Sequence, residues 1–485
     1  MLDAQLALDA EGRILALSVD GDGDGDGDGP VGAQIGPMSM HPLTANLPGL
    51  AGAYATPLIA VEIRGHFVNT MHMNPYRGAG RPEANYVIER MIDIPAARLE
   101  IDRIELRRRN LVRPEAMPHA TPLGFIYDSG DFPAVLETAL TAAGLDGFPE
   151  RRAEAAARGK LLGFGVACAI ESAGGGPPGS QLPEYGAIRM DPDRGMVLAV
   201  GSGDSGQGHD TAYRLMAEHL LGWRAAGRIA VVTGDTAAVP RGTGTFGSRT
   251  MGAAGAALAA CATQIIRTAT EDAAEALEAA AQDVVFENGT FRIAGTDREV
   301  TFEALVETHG HRYAAEAHVA TDAGTFPNGA HVAEIEVDPE TGETRLLRYV
   351  VADDVGTVIN PLTLAGQVHG GVAQGLGQAL MERIVYDPDS GALLTGSLMD
   401  YAVPRAADMP LDLVLRHVPT PTAANPLGAK GAGESGTVGA LAAAINAVCD
   451  ALAPFGVTHL DMPASPSRVW QAIHANSPDN GGRAP

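Results

Sequence analysis

The sequence predicts an α+β fold. Apolar residues make up 45% of the chain and charged residues 19%, as in globular proteins. Segments with the two-residue apolar period of strands are mixed with segments of helical period, without a strict β-α-β rhythm. Glycine occurs 60 times and is concentrated in short loops, several of which precede predicted helices. Such loops are expected where backbone packs against a ligand.

The length and the charge restrict the class of protein. With 485 residues, the chain is too long for one hydrophobic core and fits roughly two to four domains. Its formal charge of −25 argues against nucleic acid and anionic membrane as partners. The first residues lack the basic and apolar regions of a signal peptide, and no uncharged apolar run of about eighteen residues predicts a membrane span.

The three cysteines, Cys168, Cys261 and Cys449, are dispersed along the chain. Their spacing matches neither a disulfide framework nor a zinc or iron–sulfur site. A cytoplasmic location is therefore expected. Any redox role would need a cofactor bound without cysteine ligands and electron carriers housed elsewhere.

The first part of the chain begins with a hairpin and ends in helices. Residues 21–29 alternate glycine and aspartate, but a calcium loop would need glutamate in place of Ala33, so a solvated loop is favoured. Pro82 is well placed as the first residue of a helix. The predicted elements are strands over 5–10, 13–19 and 60–69, a helix from 82 that continues as a basic helical stretch over 96–111, and helices over 134–143 and 149–160.

A second unit begins near residue 160, which divides the chain into 1–158 and 159–485. Its predicted strands cover 162–172, 185–190, 195–201, 229–233, 411–418 and two segments within 331–354 that flank a turn at 339–342. Its predicted helices cover 211–221, about 250–280, 367–381 and 438–452.

Glu434 lies among glycines in the run 425–437, directly ahead of the last of these helices. The glycines leave room for a bulky group, and the positive end of the helix points back toward the loop. A glutamate held ionised beside a large anionic ligand is a candidate general base. The alternative is a turn in which Glu434 and Ser435 cap the helix.

Two further glycine loops precede predicted helices. The loop 201–210 brings backbone N–H groups, Gln207 and His209 to a helix start, where phosphate can bind, although a plain tight turn explains the pattern as well. Residues 243–250 repeat the arrangement, and there Ser248 is an alternative helix cap.

The segment 366–378 contains clustered glycines, which permit close packing against another backbone or against a planar ligand. Gln367 and Gln374 lie two turns apart on one face of this predicted helix. The loop before residue 82 carries Arg77 and Arg81, and salt bridges with nearby carboxylates would be an ordinary explanation for both.

Taken together and in this order, these loops resemble the molybdenum-cofactor subunit of the xanthine oxidase family, and most of all the large subunit of enzymes similar to aerobic carbon monoxide dehydrogenase. The likeness covers nearly the whole chain. The stretches that carry it are 76–83, 201–210, 234–249, 331–338, 355–361, 366–378, 399–405 and 425–436.

The resemblance implies a molybdopterin cofactor, as its cytosine dinucleotide, and iron–sulfur and FAD cofactors on partner subunits. It implies that Glu434 is the general base of a hydroxylation in which water supplies the oxygen. It also implies cofactor contacts, but no metal ligand, from a set of residues in the matching stretches. These are Arg77, Gly78, Ala79, Gln207, Gly208, His209, Gly247, Ser248, Gln367, Gln374 and Gly433.

Two departures from the family pattern shape the expected function. The hammerhead-like N-terminal domain of the family is not found, so the chain resembles the C-terminal part of the first molybdenum-cofactor-binding domain (1–158) followed by the second (159–485). A split or truncated large subunit is therefore expected, with another chain supplying the N-terminal half. Gly78 stands where carbon monoxide dehydrogenases carry a copper-binding cysteine, which favours an aldehyde or an N-heterocycle as substrate.

A non-catalytic cofactor-binding remnant or assembly module is the alternative function. A kinase or nucleotidase is disfavoured, because the sequence has neither a Walker lysine nor a Rossmann fingerprint.

Overall fold

The computed structural model describes residues 3–21, 29–34, 36, 38–44, 47–174, 179–191, 195–223, 227–410 and 412–475. The aspartates of the calcium-loop alternative, within 22–28, lie outside the described residues.

The N-terminal strands form a small three-stranded sheet. The predicted hairpin is confirmed, since β1 (Asp3–Leu8) pairs antiparallel with β2 (Ile14–Gly21). The predicted strand 60–69 is divided because its two halves pair with different partners. β4 (Ile59–Ile63) runs parallel to β2, whereas β5 (Gly65–Phe67) pairs with β3 (Gly29–Gly32).

The first helical region starts with α1 (His41–Thr44) and the long α2 (Arg81–Leu99), which begins one residue before Pro82, the predicted first residue. The predicted continuous stretch 96–111 is interrupted. Glu100 adopts a left-handed conformation with φ 54°, and Asp102 then caps α3 (Arg103–Asn110). Next come β6 (His119–Ala120), β7 (Ile126–Tyr127), α4 (Phe132–Ala143) and α5 (Phe148–Ala157).

The first strand of the central four-stranded sheet is β8 (Leu161–Ile170). The long second unit first builds another sheet, from β9 (Glu184–Asp191), β10 (Gly195–Val200), β11 (Ile229–Val232) and β15 (Ala314–Val319), in the order β11-β10-β9-β15. The helices α6 (His209–Leu221) and α7 (Thr250–Ala276) pack on this second sheet. The elements between α7 and β15 have no counterpart in the sequence prediction, and they are β12 (Val284–Glu287), β13 (Thr290–Ile293), β14 (Glu299–Thr301) and α8 (Phe302–His309).

The central sheet is completed by β16 (Asn328–Val337), β17 (Thr344–Asp354) and β18 (Asp412–His417), in the order β18-β17-β16-β8. Alternate side chains of its strands face two different cores. One face packs on α9 (Pro361–Leu380) and α10 (Ser435–Leu452), and the other packs on α2 and α4. The last helix is α11 (Pro466–Ala475).

α10 is the central helix of this fold, and every one of its residues except Asp450 is buried. Gly163 and Gly165 of β8 face it so closely that an added Cβ would lie 2.1 Å from the carbonyl oxygens of Ala447 and Ala443, respectively. By length and composition, Ser435–Phe455 could cross a membrane, which the sequence analysis did not expect; 78% of its apolar window is buried inside the protein. The apolar surface of α10 is thus used in the core.

α9 and α10 begin three or more residues earlier than the sequence predicts. α9 begins at Pro361 instead of 367, because Asn360 caps it by accepting hydrogen bonds from the N–H groups of Leu362 and Thr363. α10 begins at Ser435 instead of 438, which brings Glu434 to the first position before the helix.

Candidate active site

The glycine loops converge on one cavity of about 470 Å³. The first residues of α6 and α7 and the N-cap residues of α9 and α10 all border it, so four helix N-termini lie at the same space. Nine of the sequence-predicted site residues line the cavity, namely Arg77, Gln207, Gly208, His209, Gly247, Ser248, Gln367, Gly433 and Glu434. Gly78, Ala79 and Gln374 do not line it, but Gly78 contacts Glu434 and Gln374 contacts Arg77.

Glu434 is held by three contacts at the wall of the cavity. Its Oε1 accepts a hydrogen bond from the Gly78 N–H at 3.1 Å, and its Oε2 accepts one from the Ser248 hydroxyl at 3.1 Å. Arg81 Nη1 lies 3.5 Å from the same Oε2. Glu434 occupies the N-cap position of α10 without a side-chain cap hydrogen bond, so the capping interpretation is wrong. Its carboxylate is fixed but 15% exposed, and can reach a ligand in the cavity.

Two residues beside Glu434 adopt left-handed backbone conformations that are unusual without glycine. Ala79 has φ 47° and Ser248 has φ 54°. Residues other than glycine with such conformations cluster at functional sites, where the surrounding structure enforces them. The capping alternative for Ser248 is also wrong, because the N-cap of α7 is Arg249, without a side-chain cap, and the Ser248 hydroxyl faces Glu434.

Arg77 ties together the loop before α2, the loop before α10 and the face of α9. Its Nε donates to the Gly433 carbonyl at 2.6 Å, and its Nη1 donates to Gln374 Oε1 at 2.9 Å. Its Nη2 donates to Oε1 of Gln367 at 3.0 Å and to the carbonyl of the same residue at 3.1 Å. The two glutamines therefore do share a face, as predicted. Among the described residues, Arg77 forms no ion pair with a carboxylate. Its positive charge therefore lies at the wall of the cavity without a salt bridge.

The loop 201–210 differs from the simple phosphate site that its sequence suggests. Asp204 Oδ1 accepts the N–H groups of Gly206 and Gln207 at 2.8 Å and that of Gly208 at 3.2 Å. These hydrogen bonds lower the pKa of Asp204 despite its partial burial. The N–H groups expected to face a phosphate are thus already taken by an internal carboxylate, which makes the loop rigid.

His209, at the start of α6, is also held by this loop. Its Nδ1 lies 3.0 Å from the carbonyl oxygen of Gly203. The neighbouring loop is anchored by a buried ion pair between Arg249 and Glu184, with 2.8 Å between Nη1 and Oε2. The walls of the cavity are therefore preformed.

The cavity fits a large anionic cofactor with a planar part. Gly206 and Gly247 line it with positive φ, and an added Cβ would meet no protein atom within 4 Å at either position. α7 and α10 begin there without side-chain caps, and Arg77 adds a positive charge. Among the described residues, no group of three or more His, Cys, Asp or Glu side chains could hold a metal ion. A metal carried by a bound cofactor would need no such group.

Glu171 is a residue of this site that the sequence analysis missed. It follows the last residue of β8 and is 1% exposed. Burial raises its pKa well above the usual range, the charge of Glu434 raises it further, and Arg81 opposes the shift. An acid directly after a strand of apolar and small residues, and ahead of the glycines at 174–176, was the available signal.

Comparison with known proteins agrees with a cofactor-binding role for this cavity. Two family models, each described as a molybdopterin cofactor-binding domain, match residues 1–111 and 138–410. The carbon monoxide dehydrogenase large chain of Hydrogenophaga pseudoflava is 34% identical over 500 residues, which cover 97% of this chain and 60% of that protein. The nicotine 6-hydroxylase large subunit of Paenarthrobacter nicotinovorans is 31% identical, with 96% and 59% covered.

Solved structures share the fold. Quinoline 2-oxidoreductase from Pseudomonas putida 86 superposes with a TM-score of 0.89 at 32% identity, over 98% of this chain and 62% of that one. The Cu,Mo carbon monoxide dehydrogenase in its carbon monoxide reduced state gives a TM-score of 0.87 at 31% identity, over 98% and 62%.

Fold, cavity and comparisons define a molybdopterin-binding protein of α+β class. The chain belongs to the xanthine oxidase and carbon monoxide dehydrogenase family, as the region of the molybdenum-binding large subunit that these matches cover. It spans about 60% of the length of the curated relatives it matches.

Proposed function

We propose that this chain is part of the large subunit of a molybdenum hydroxylase, with Glu434 as its general base. The observation that carries the proposal is the position of Glu434. A carboxylate held by Gly78, Ser248 and Arg81 faces a cavity that can accept a molybdopterin. These donors stabilise its ionised form, and a base must be ionised before each turnover.

In the proposed reaction, a substrate C–H group and water give a C–OH group, two protons and two electrons. The bound molybdopterin cofactor would supply the centre that activates water and accepts the electrons. Glu434 would take one of the protons. Gly78 holds its Oε1 in place, and Ser248 holds its Oε2. Because Oε1 and Oε2 are both fixed, the carboxylate cannot rotate away from the cavity.

The cofactor contacts are proposed for the residues that line the cavity. Gln207, Gly208, His209, Gly247, Ser248, Gln367 and Gly433 would border the pterin and its phosphates. Arg77 would place its positive charge beside them. Gly78, Ala79 and Gln374 would act indirectly, since they do not line the cavity. Gly78 contacts Glu434, Gln374 contacts Arg77, and Ala79 is bonded within the loop before α2.

An aldehyde or an N-heterocycle is the proposed substrate class. Two relatives carry N-heterocycles in their names, nicotine and quinoline. Carbon monoxide is disfavoured because Gly78 offers no thiolate for copper at the position where the resemblance requires one.

The proposed assembly is cytoplasmic and contains further polypeptides. The cytosine dinucleotide form of the cofactor is proposed, with iron–sulfur and FAD subunits that remove the electrons. The N-terminal half of the large subunit would complete the cavity from another polypeptide or from the remainder of a longer one. The alternative, a cofactor-binding remnant without turnover, uses the same cavity but needs no base.

The test is to purify the assembled complex with its adjoining subunits and to measure molybdenum, released cytidine monophosphate and turnover. We expect molybdenum to be present and an aromatic aldehyde or quinoline to be oxidised with a dye as electron acceptor. Glu434→Gln should lower kcat by about 10²–10⁴-fold, a usual range for a general base, with unchanged molybdenum content.

Glu307→Gln, on the exposed side of α8, is the matched control and should retain full turnover. A complex without molybdenum would contradict the proposal. A loaded complex with full activity in Glu434→Gln would refute the role of the base alone.

A further inference from the structure

Glu171 is fixed beside the candidate base by the chain around it. Its own N–H donates to the Pro327 carbonyl at 2.8 Å, at the end of the β8–β16 ladder. Three residues on, the Gly174 N–H donates to the Gly247 carbonyl at 2.7 Å, directly before Ser248. The segment 171–174 therefore runs along the loop whose hydroxyl holds Glu434, and it cannot turn away from the site.

The side chain of Glu171 is a buried acid whose pKa is raised by burial and by the charge of Glu434 more than Arg81 and the nearby Ser248 hydroxyl lower it. Neither carboxyl oxygen has a hydrogen-bond partner among the described residues. Glu434, in contrast, has hydrogen bonds from Gly78 and Ser248 and an ion pair with Arg81. An unpaired, fully buried carboxylate is costly, and such a group takes up a proton instead.

Two neighbouring carboxyl groups in one buried site hold a single negative charge more readily than two. Glu434 has two hydrogen-bond donors and an ion pair, which favour the negative charge there, whereas the deeper burial of Glu171 favours the proton there. A protonated Glu171 also supplies the hydrogen-bond donor that two ionised carboxylates facing each other would lack.

We propose that Glu171 is a positioning residue that stays protonated and donates its hydrogen bond to the carboxylate of Glu434. The pair carries one proton and one negative charge before the base acts. The hydrogen bond from Glu171 stabilises the ionised form of Glu434 and fixes the orientation of its carboxylate. The inference deepens the proposed function, but the proton on Glu171 can be measured without turnover.

Other charged groups around the pair are compatible with this assignment. Arg77 and Arg81 both attract negative charge to the two glutamates and so oppose a proton on Glu171, but burial and the charge of Glu434 outweigh them. His41, on α1, is also influenced by Arg81 and Glu434; burial lowers its pKa, which disfavours a third positive charge.

The first experiment is infrared spectroscopy of the assembled complex at pH 6, with ¹³C-labelled glutamate to separate its bands from those of aspartate. We expect a carboxylic C=O band that is lost in Glu171→Gln. In Glu434→Gln the band should persist and shift to higher frequency, because an amide oxygen is a weaker acceptor than a carboxylate.

Asp353→Asn is the matched control. Asp353 is another buried acid without hydrogen-bond partners among the described residues, but it does not line the cavity. Its replacement should leave the Glu171 band unchanged. A spectrum of Glu171→Gln identical to that of the parent would overturn the proposal, and so would a Glu171 band that Glu434→Gln does not shift.

The second experiment compares Glu171→Gln with Glu171→Leu in the pH profile of kcat, using benzaldehyde and quinoline as probe substrates. The glutamine still donates to Glu434, so the acid limb should stay in place. The leucine removes the donor, so the acid limb should move up by about one pH unit, with KM little changed. Identical profiles for the two variants would contradict the proposal.

These outcomes separate the inference from the proposed function. A complex that lacks molybdenum or turnover still reports the Glu171 proton in its infrared spectrum. Molybdenum content and the thermal unfolding midpoint are measured for each variant and identify a leucine variant that fails to fold. In that case the infrared comparison of Glu171→Gln with the parent tests the proposal.

Discussion

At the scale of single residues, Arg77 is the side chain on which most of the site depends. Its guanidinium reaches Gly433, Gln367 and Gln374 in three directions at once. A lysine at this position would keep the charge but could satisfy these directions only in part, because it lacks the planar fork. We expect Arg77→Lys to lower stability by about 1–2 kcal/mol, as for loss of charged hydrogen bonds, and to lower molybdenum content.

The thermal unfolding midpoint and molybdenum analysis of the assembled complex check this prediction. Arg405→Lys is the control, since Arg405 is 79% exposed and bonded to nearby Asp408. If both lysine variants retain the same cofactor content and midpoint, Arg77 has no organising role.

The same scale shows how much of the site a sequence can reveal. Glu434 and Arg77 are predictable because glycines surround both, and glycine-rich loops are unusual enough to be noticed. Asp204 is harder because its local hydrogen bonds depend on how its loop turns, and Glu171 is harder because folding brings its neighbours near. Asp204 takes the N–H groups of its own loop, whereas Glu171 meets a residue 263 positions away.

At the scale of elements, the contact of β8 with α10 sets the position of Glu434. Gly165 approaches the Ala443 carbonyl so closely that a methyl group would overlap it, and backbone cannot move aside as a side chain can. Gly165→Ala should therefore push α10 away from the sheet. We expect a loss of about 1–3 kcal/mol of stability from overpacking, together with reduced turnover because Glu434 moves with the helix.

The stability and the kcat of the complex are both measured for this variant. Gly366→Ala is the control: it lies inside α9, and an added Cβ there would meet no atom within 4 Å. Alanine should stabilise that helix by about 0.5–1 kcal/mol. Equal stability of the two variants would show that β8 and α10 can separate without cost.

Secondary-structure elements were predictable where a single sequence signal was strong. Their bounds were predicted incompletely where a capping residue sets the start of a helix. The hairpin β1–β2 and the strands β16 and β17 follow from alternation and turn residues. α9 begins early because Asn360 caps it, which periodicity alone does not reveal. The short strands from β12 to β14 are three or four residues long, too short for a periodic pattern.

At the scale of the whole molecule, the cores cross the predicted division at 158/159. One core combines residues before it, such as Ile88 and Leu136, with Val166 and Val350 of the central sheet. The division stays a prediction, but the two parts share apolar surface that neither would bury alone. The central sheet, packed on both faces, thereby holds the loop of Arg77 against the loop of Glu434.

The buried acid Asp353 makes the stability of the molecule depend on pH. Burial, together with the neighbouring Asp354, raises its pKa from 3.8 to about 7. An acid whose pKa is raised in the folded state contributes stability below its unfolded pKa, and this contribution is lost as pH rises through the folded pKa. The loss falls between pH 3.8 and about 7, and within this window the free energy of unfolding decreases by about 1.4 kcal/mol per pH unit.

Asp353→Asn removes the titrating group and keeps the shape of the neutral acid, so it should be more stable than the parent at pH 8. The difference should shrink toward pH 4, where Asp353 is protonated in the folded protein. Urea unfolding of the two proteins across this range measures it, and subtraction cancels the other groups, including His331, whose pKa burial lowers to about 3. A difference that does not change with pH would mean that Asp353 is ionised in the fold, with a partner for its charge.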